Sequence, residues 1–97
     1  MTMVKTGSKF RHILINKKKY FFYEIKWLDV YGESGHADFK EFEAMQPALM
    51  MTNAYIFKKT KSLVWTFSSY DERDEVFSDR NIFPIGVIKV MKRIEHS

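Results

Sequence analysis

Cysteine is absent from this chain of 97 residues, and proline and glycine are scarce, with two and four copies. Without cysteine there is no disulfide framework, no thiol nucleophile and no thiolate ligand for a metal. Aromatic residues, in contrast, make up 16% of the chain, which argues against a disordered protein. We therefore expect a folded domain that is stabilised by a packed core and not by cross-links.

Long apolar runs are missing as well. The apolar stretches extend over only a few residues, whereas a membrane-spanning helix needs about 20. The first residues also lack the apolar segment and the small-residue cleavage site of a secretory signal. The sequence therefore predicts no membrane partner and a cytoplasmic location.

Positive charge is concentrated at one end of the chain. The net charge is +4, and because residues 1–19 carry +6 without any acid, the remaining 78 residues carry −2. Any affinity for phosphate is expected mainly in the basic segment. Residues 1–19 are predicted as a basic arm, and residues 10–15 within it as either an N-terminal hairpin strand or a helical turn.

Residues 20–31 form the most regular stretch of the chain. Large apolar side chains occupy its odd positions, Phe21, Tyr23, Ile25 and Trp27, whereas its even positions are mixed. Such an alternation is typical of a strand that turns one face to a core. We expect the rest of the fold to be built around this strand.

A short helix is predicted at about residues 38–46, after a loop with two glycines. Phe39 and Phe42 lie three residues apart, which places them on one side of a helix. Asp38 and Glu41 have the spacing of a capping box, in which each side chain bonds the other residue's backbone N–H. We expect the apolar side of this helix to plug one open end of the sheet.

Four further strand regions complete an antiparallel sheet of five to six strands, which is expected to close into a small barrel because closure removes exposed edges. The last strand does not alternate cleanly, which predicts a bulge or a strong twist near Val90. The barrel is predicted over residues 20–95 of a single domain, 1–97. The four strand regions are 54–58, 63–68, 76–83 and 87–94.

Side-chain alternation also predicts which residues are buried. In segment 63–68, the face with Trp65 and Phe67 is expected to pack, and the face with Val64 and Thr66 to be wet. The predicted core is Phe21, Tyr23, Ile25, Trp27, Ile56, Leu63, Trp65, Phe67 and Ile88.

The sequence contains no catalytic constellation. The three histidines, His12, His36 and His96, lack the spacing of metal ligands. Five carboxylates lie between residues 71 and 79, but a polar loop that also holds arginines is ordinarily solvated. The serines lack the Gly-x-Ser-x-Gly turn that exposes a nucleophile. We predict a protein that is not an enzyme and has no catalytic, metal-binding or cofactor-binding residues.

Two kinds of binding surface can be proposed from the residues alone. Tyr31, His36 and Tyr70 adjoin or lie within loops and are candidates for contacts with a protein partner, since tyrosine often anchors interfaces. Lysines next to aromatic rings suggest instead a nucleic-acid surface. The candidate lysines are Lys17, Lys18, Lys19, Lys58, Lys59 and Lys61.

Several short segments resemble small accessory proteins of tailed bacteriophages. The matching segments are the Trp-x-Asp opening strand at 25–29, the Gly-Glu-Ser-Gly loop at 32–35, the extended segment 54–57 and the Ile-Phe-Pro-Ile-Gly-Val-Ile-Lys ending at 82–89. The resemblance spans residues 25–94. His36 and Ile85 stand where those proteins usually carry tryptophan and lysine.

The resemblance implies an SH3-like barrel, in agreement with the strand count, and implies no family active site. It also implies an accessory role in the cytoplasm of an infected bacterial cell. We expect a non-enzymatic binding module that inhibits a host enzyme or defence system by binding a host protein. A nucleic-acid-binding barrel that uses the basic arm, and a sponge for a host nucleotide signal, are the alternatives, and assembly into a homo-oligomer stays open.

Overall fold

The computed structural model describes residues 9–30 and 32–96. Over these residues the fold is mainly antiparallel β, as predicted. A short helix, α1 (Phe39–Glu43), lies between the second and third strands, and a 3₁₀ turn (Ile85–Val87) precedes the last one. The described strands are β1 (His12–Ile15), β2 (Lys18–Asp29), β3 (Ala48–Lys59), β4 (Leu63–Phe67), β5 (Ser69–Asp71), β6 (Val76–Ser78), β7 (Asn81–Pro84) and β8 (Ile88–Arg93).

The predicted central strand is β2, and three other strands pair with it. β3 pairs along one edge of β2, from Phe22 to Asp29. The other edge is shared, because β1 pairs with residues 18–21 and β8 with residues 23–27. The sheet continues from β3 through β4 to β7, while β5 and β6 form a separate hairpin. Of the alternatives for residues 10–15, the structure contains the hairpin strand.

The two ends of the described chain meet at the middle of β2. The N–H of Phe22 donates to the carbonyl of Arg11 at 2.9 Å, and the N–H of Ile94 donates to the carbonyl of Phe22 at 3.0 Å. Arg11 in turn donates to the carbonyl of Ile94 at 2.8 Å. Backbone groups of Arg11, Phe22 and Ile94 thus bond one another at the point on β2 where its pairing changes from β1 to β8. These hydrogen bonds fix β8 beside β2.

The sheet does not close into a barrel over the residues that the structure describes. β7 pairs with β4 only, and it is not paired with β1 or β8 at the opposite edge of the sheet. The antiparallel sheet is therefore confirmed, whereas the closed barrel is not found. No helix in the described segments is long and apolar enough to cross a bilayer.

Most of the buried residues lie on one face of the sheet. Residues directly opposite each other on antiparallel strands share a face. By the strand register, Ile25, Val64, Thr66 and Phe83 all lie on this face. Ile25 and Val64 are both 0% exposed, and Thr66 is buried too. The prediction of a wet face with Val64 and Thr66 is therefore wrong, because the sheet bends around that face and brings the Trp27 ring of β2 within 5.1 Å of the Phe83 ring of β7.

The opposite face of the sheet carries a cluster of aromatic rings around Phe67. The Phe67 ring lies 5.4 Å from that of Tyr55 and 4.7 Å from that of Phe77, between ring centroids. Phe77 belongs to β6, so the β5–β6 hairpin covers this part of the sheet. Of the predicted core, Ile25 and Phe67 are buried and the other seven residues are half-buried.

Local sequence signals were accurate at the helix and in the last strand. The capping box of α1 is present, with Glu41 N–H donating to Asp38 Oδ1 at 2.8 Å. The bulge is confirmed, since Lys26 pairs with Val90 and Trp27 with Ile88, which leaves Lys89 unpaired between them. The helix is shorter than predicted, and it does not plug the sheet, because none of its residues is buried.

The predicted strand region 76–83 is divided into two strands. The break lies at Asp79, whose φ of 54° lies in the left-handed region. Before this break β6 pairs with β5, and after it β7 pairs with β4. The charged segment before it forms the β5–β6 turn, in which Asp71 Oδ1 accepts the N–H groups of Arg73 and Asp74.

The β1–β2 turn provides a test of backbone strain. Asn16 and Lys17 have φ of 49° and 69°, as the two central residues of a type I′ hairpin turn require. Lysine is strained there because its Cβ approaches the backbone, whereas glycine is not. Lys17→Gly is expected to raise the free energy of unfolding by about 0.5–1 kcal/mol, measured by urea denaturation.

The control for this change is Lys61→Gly in the β3–β4 loop. Lys61 also loses its charge in this variant, but its φ is not positive, so no strain is relieved. It is expected to leave stability unchanged or to lower it by a few tenths of a kcal/mol. Equal effects of the two variants would contradict the strain at Lys17.

Candidate functional site

Of the three residues predicted to contact a protein partner, the structure describes His36 and Tyr70. Tyr31 lies outside the described residues. His36 is exposed in the loop before α1, and Tyr70 lies on β5, half-buried against Phe77 with 4.9 Å between ring centroids. No contact joins His36 to Tyr70, so their shared role stays a prediction.

Tyr70 has an acidic environment. Partial burial of the phenol and the nearby carboxylates of Glu75, Glu72 and Asp71 raise the pKa of Tyr70 above its usual value. These carboxylates are exposed, and over residues 9–30 and 32–96 no group of three potential ligands is placed to hold a metal ion. The five carboxylates between residues 71 and 79 are thus exposed to solvent.

A groove opens where β2 and β3 separate, and we call it the fork groove. The two strands are paired as far as Phe22 and Tyr55. Beyond this point residues 18–21 pair with β1, and β3 continues along β4. The resulting groove has a volume of about 390 Å³. Its lining includes the cations Lys18, Lys19, Lys59 and Arg93 and the rings of Tyr20, Phe21, Tyr23 and Phe57.

Arg93 is the most firmly positioned cation of the fork groove. Its Nε donates to Tyr23 Oη at 2.9 Å, and its guanidinium lies 4.0 Å from the ring centroid of Phe21. Stacking and hydrogen bonding hold the guanidinium plane and leave its two terminal nitrogens to donate to a ligand. Sequence reasoning missed Arg93, because no local motif surrounds it and only the pairing of β8 with β2 brings it to the groove.

The predicted nucleic-acid lysines divide into two groups. Lys18, Lys19 and Lys59 line the fork groove, although they come from different strands. The other three do not line it: Lys17 lies in the β1–β2 turn, Lys61 is exposed in the β3–β4 loop, and Lys58 lies over the ring of Trp65 at 5.3 Å. The structure thus brings together half of the predicted set and adds Arg93.

A larger groove of about 680 Å³ lies on the aromatic face of the sheet. Phe57, Trp65, Phe67 and Phe77 supply much of its lining, and Arg80 is its charged residue. Phe57 also lines the fork groove, so the two grooves adjoin at this ring. The larger groove is mainly apolar and offers few polar groups to orient a ligand.

Exposed apolar side chains concentrate at the far end of the β2–β3 hairpin. Phe39 and Phe42 of α1 are 82% and 70% exposed, and Leu49 of β3 is 62% exposed. Leu49 pairs directly with Leu28 of β2, on the same face of the sheet. We call this surface the apolar hairpin end. Its exposed members are Val30, Phe39, Phe42, Leu49, Met50 and Met51.

The two surfaces differ in chemistry and lie at opposite ends of β2. The fork groove combines positive charge with flat rings, whereas the apolar hairpin end exposes aliphatic and aromatic side chains beside a capped helix. Comparison with protein-family models, with curated protein sequences and with solved structures found no match for this chain.

Proposed function

We propose that this chain is a non-enzymatic binding module that recognises another protein through the apolar hairpin end. The observation that carries the proposal is the exposure of Phe39 and Phe42 on a helix that buries none of its own residues. Burial of apolar surface is the main favourable term in protein association. An exposed apolar side of a helix gains that term only when a partner covers it.

The size of the surface supports this interpretation. At the observed exposures, Phe39 and Phe42 alone present roughly 300 Å² of surface. The largest apolar patch on a typical monomer is about 300–600 Å² and is often functional. Leu49 and Met51, which lie two residues apart on β3, expose further apolar surface. The exposed area of the apolar hairpin end thus reaches the size of the largest apolar patch on a typical monomer.

The helix is also prepared for binding. Phe39 and Phe42 are three residues apart, the spacing of anchors on a helix that enters an apolar groove. Asp38 and Glu41 cap the first turn, so less conformational entropy is lost on binding. Lys40, Glu41 and Glu43 supply charge around the two rings, as in the polar rim of an interface. The expected partner surface is an apolar groove with polar edges.

The resemblance to small proteins of tailed bacteriophages leads to a more specific form of the proposal. In that form, the chain is a phage accessory protein in the cytoplasm of an infected bacterium, and its partner is a host enzyme or defence protein that it inhibits. The fold would be an opened relative of the SH3-like barrel. The strand order β8-β2-β3-β4-β7, with a 3₁₀ turn between β7 and β8, supports this assignment.

The test is an affinity pull-down from bacterial lysate with the tagged full chain, treated with nuclease and read by mass spectrometry. The double variant F39S/F42S is expected to lower recovery of a stoichiometric host protein by roughly thirty-fold or more, as loss of central apolar anchors does. Both side chains are exposed, so the variant should fold normally. A circular dichroism melt checks this point.

The single variant L49S is a further test of the surface, and L14S is its matched control. Both leucines lie on strands and are 62% exposed, but Leu14 is on β1, away from the apolar hairpin end. L49S is expected to reduce recovery of the partner, and L14S to leave it unchanged. Equal recovery with F39S/F42S and the unmodified protein, or turnover of a substrate by the purified chain, would refute the proposal.

A further inference from the structure

The fork groove has a chemistry that protein binding at the apolar hairpin end does not use. We propose that the fork groove binds single-stranded nucleic acid, with the phosphate backbone held by Lys19, Lys59 and Arg93 and one base stacked on the exposed surface of the paired rings of Tyr20 and Phe57. The shared chemistry of the ligand is a base joined to a phosphate. The proposal is independent of the proposed function, because the two sites lie at opposite ends of β2.

The charge of the groove favours a phosphate. Four cationic side chains line it, and no carboxylate is among its lining residues. Over residues 9–30 and 32–96 the single ion pair joins Lys9 to Glu95, so none of the four groove cations is neutralised by an acid. Like charges that converge repel one another, and an anion between them relieves that repulsion. The chain outside residues 1–19 carries −2, which makes this local concentration of positive charge distinct.

Arg93 orients the bound phosphate. Its Nε donates to Tyr23, so its two terminal nitrogens are left to donate to two oxygens of one phosphate. Lys19 and Lys59 approach from the strands on either side of the groove. Because the three cations come from β2, β3 and β8, their convergence depends on the fold and is absent from the unfolded chain.

The rings of the groove are suited to a base. The rings of Tyr20 and Phe57 are parallel within 3°, with centroids 6.1 Å apart, and they come from the two strands that separate. Phe57 is 40% exposed, so its ring surface is accessible. Lys18 lies 5.2 Å from the centroid of the Tyr20 ring, which places a cation beside the stacking surface. Interleaved cations and flat rings are the means by which proteins bind single strands.

A duplex does not fit this site. The bases of a duplex stack on each other and present only their edges, whereas ring stacking requires an open base face. The volume of about 390 Å³ is in the range of a small-molecule site and can admit one nucleotide unit at a time. A single strand offers such units with free faces, which is why it is favoured over a duplex.

The first experiment measures fluorescence anisotropy of a labelled twelve-residue oligothymidine with the full chain, over a range of salt concentrations. Counting one ion pair for each of the three phosphate-binding cations, the logarithm of the affinity is expected to fall with the logarithm of salt at a slope of about −2. The variant K19Q/K59Q removes two of these contacts. Its slope should be about one third as steep, and its affinity at low salt roughly ten-fold weaker.

The matched control is K58Q/K61Q, which loses the same charge from the neighbouring part of the chain but outside the fork groove. It is expected to change the affinity by less than about two-fold, because screened surface charge has little effect. All four lysines are exposed, so both variants should keep their fold. Equal weakening by the two double variants, or a salt slope near zero, would overturn the proposal.

A second pair of variants tests the stacked base. Tyr20→Phe keeps the ring and is expected to retain the affinity, whereas Tyr20→Leu should weaken it by about five-fold or more. Competition then identifies the source of the base and phosphate. Oligothymidine is expected to compete better than thymidine monophosphate or adenosine monophosphate and better than a duplex of equal length. A mononucleotide or a duplex that competes as well as the single strand would overturn the assignment.

Discussion

Replacement of Ile25 by alanine is expected to lower the free energy of unfolding by about 4 kcal/mol. Ile25 is 0% exposed and lies in the middle of β2, opposite Thr52 of β3 and Met91 of β8. Removal of its outer methyl groups leaves a cavity at a point where paired strands prevent collapse. Because a domain of this size is stable by only about 5–15 kcal/mol, the midpoint of urea denaturation should fall sharply.

The series at this position includes a graded variant and an external control. Ile25→Val removes one methylene and is expected to cost about 1 kcal/mol. Val90→Ala lies on the neighbouring strand β8 but is 43% exposed, so its cost should stay below about 1 kcal/mol. If Ile25→Ala were no more costly than Val90→Ala, the core would not lie on this face of the sheet.

Replacement of Phe67 by alanine is expected to cost about 4 kcal/mol and to loosen the β5–β6 hairpin. Phe67 is 1% exposed, and rings from β2, β3 and β6 surround it. The hairpin is joined to the rest of the fold through its Phe77, which packs on Phe67 and Phe57. Urea denaturation measures the loss of stability, and hydrogen exchange of the Phe77 amide measures the release of the hairpin.

The control for this variant is Phe57→Ala. Phe57 contacts the same cluster, at 6.5 Å from Phe67 and 5.1 Å from Phe77, but 40% of it remains exposed. Its replacement is expected to cost about half as much. Loss of global stability in Phe67→Ala without faster exchange at Phe77 would show that the hairpin has another attachment.

Local chemistry made parts of this fold predictable. The alternation around Ile25 identified β2, because a period of two occurs only in strands. The start of α1 was predictable because a capping box needs only Asp38 and Glu41 at the right spacing. The irregular pattern around Val90 likewise predicted the bulge beside it. Each of these signals is contained within a few residues.

Alternation alone did not identify the buried face of β4. Trp65 and Phe67 on one face are large and aromatic, whereas Val64 and Thr66 on the other are smaller, so the first face was predicted to be the core. In the structure Val64 and Thr66 are buried and Trp65 is half-buried. A period of two separates the faces of a strand, but the direction in which the sheet bends decides which face is enclosed.

The sequence by itself determined the β class, the central strand, the capped start of α1 and the concentration of positive charge in residues 1–19, since all of these depend on neighbouring residues. Only the tertiary structure decided that Lys19, Lys59 and Arg93 converge in one groove, and that α1 leaves Phe39 and Phe42 exposed. Convergence depends on strand register and on the separation of β2 from β3, and exposure depends on what packs against the helix. Both arise from contacts between residues distant in the chain, which local periodicity does not encode.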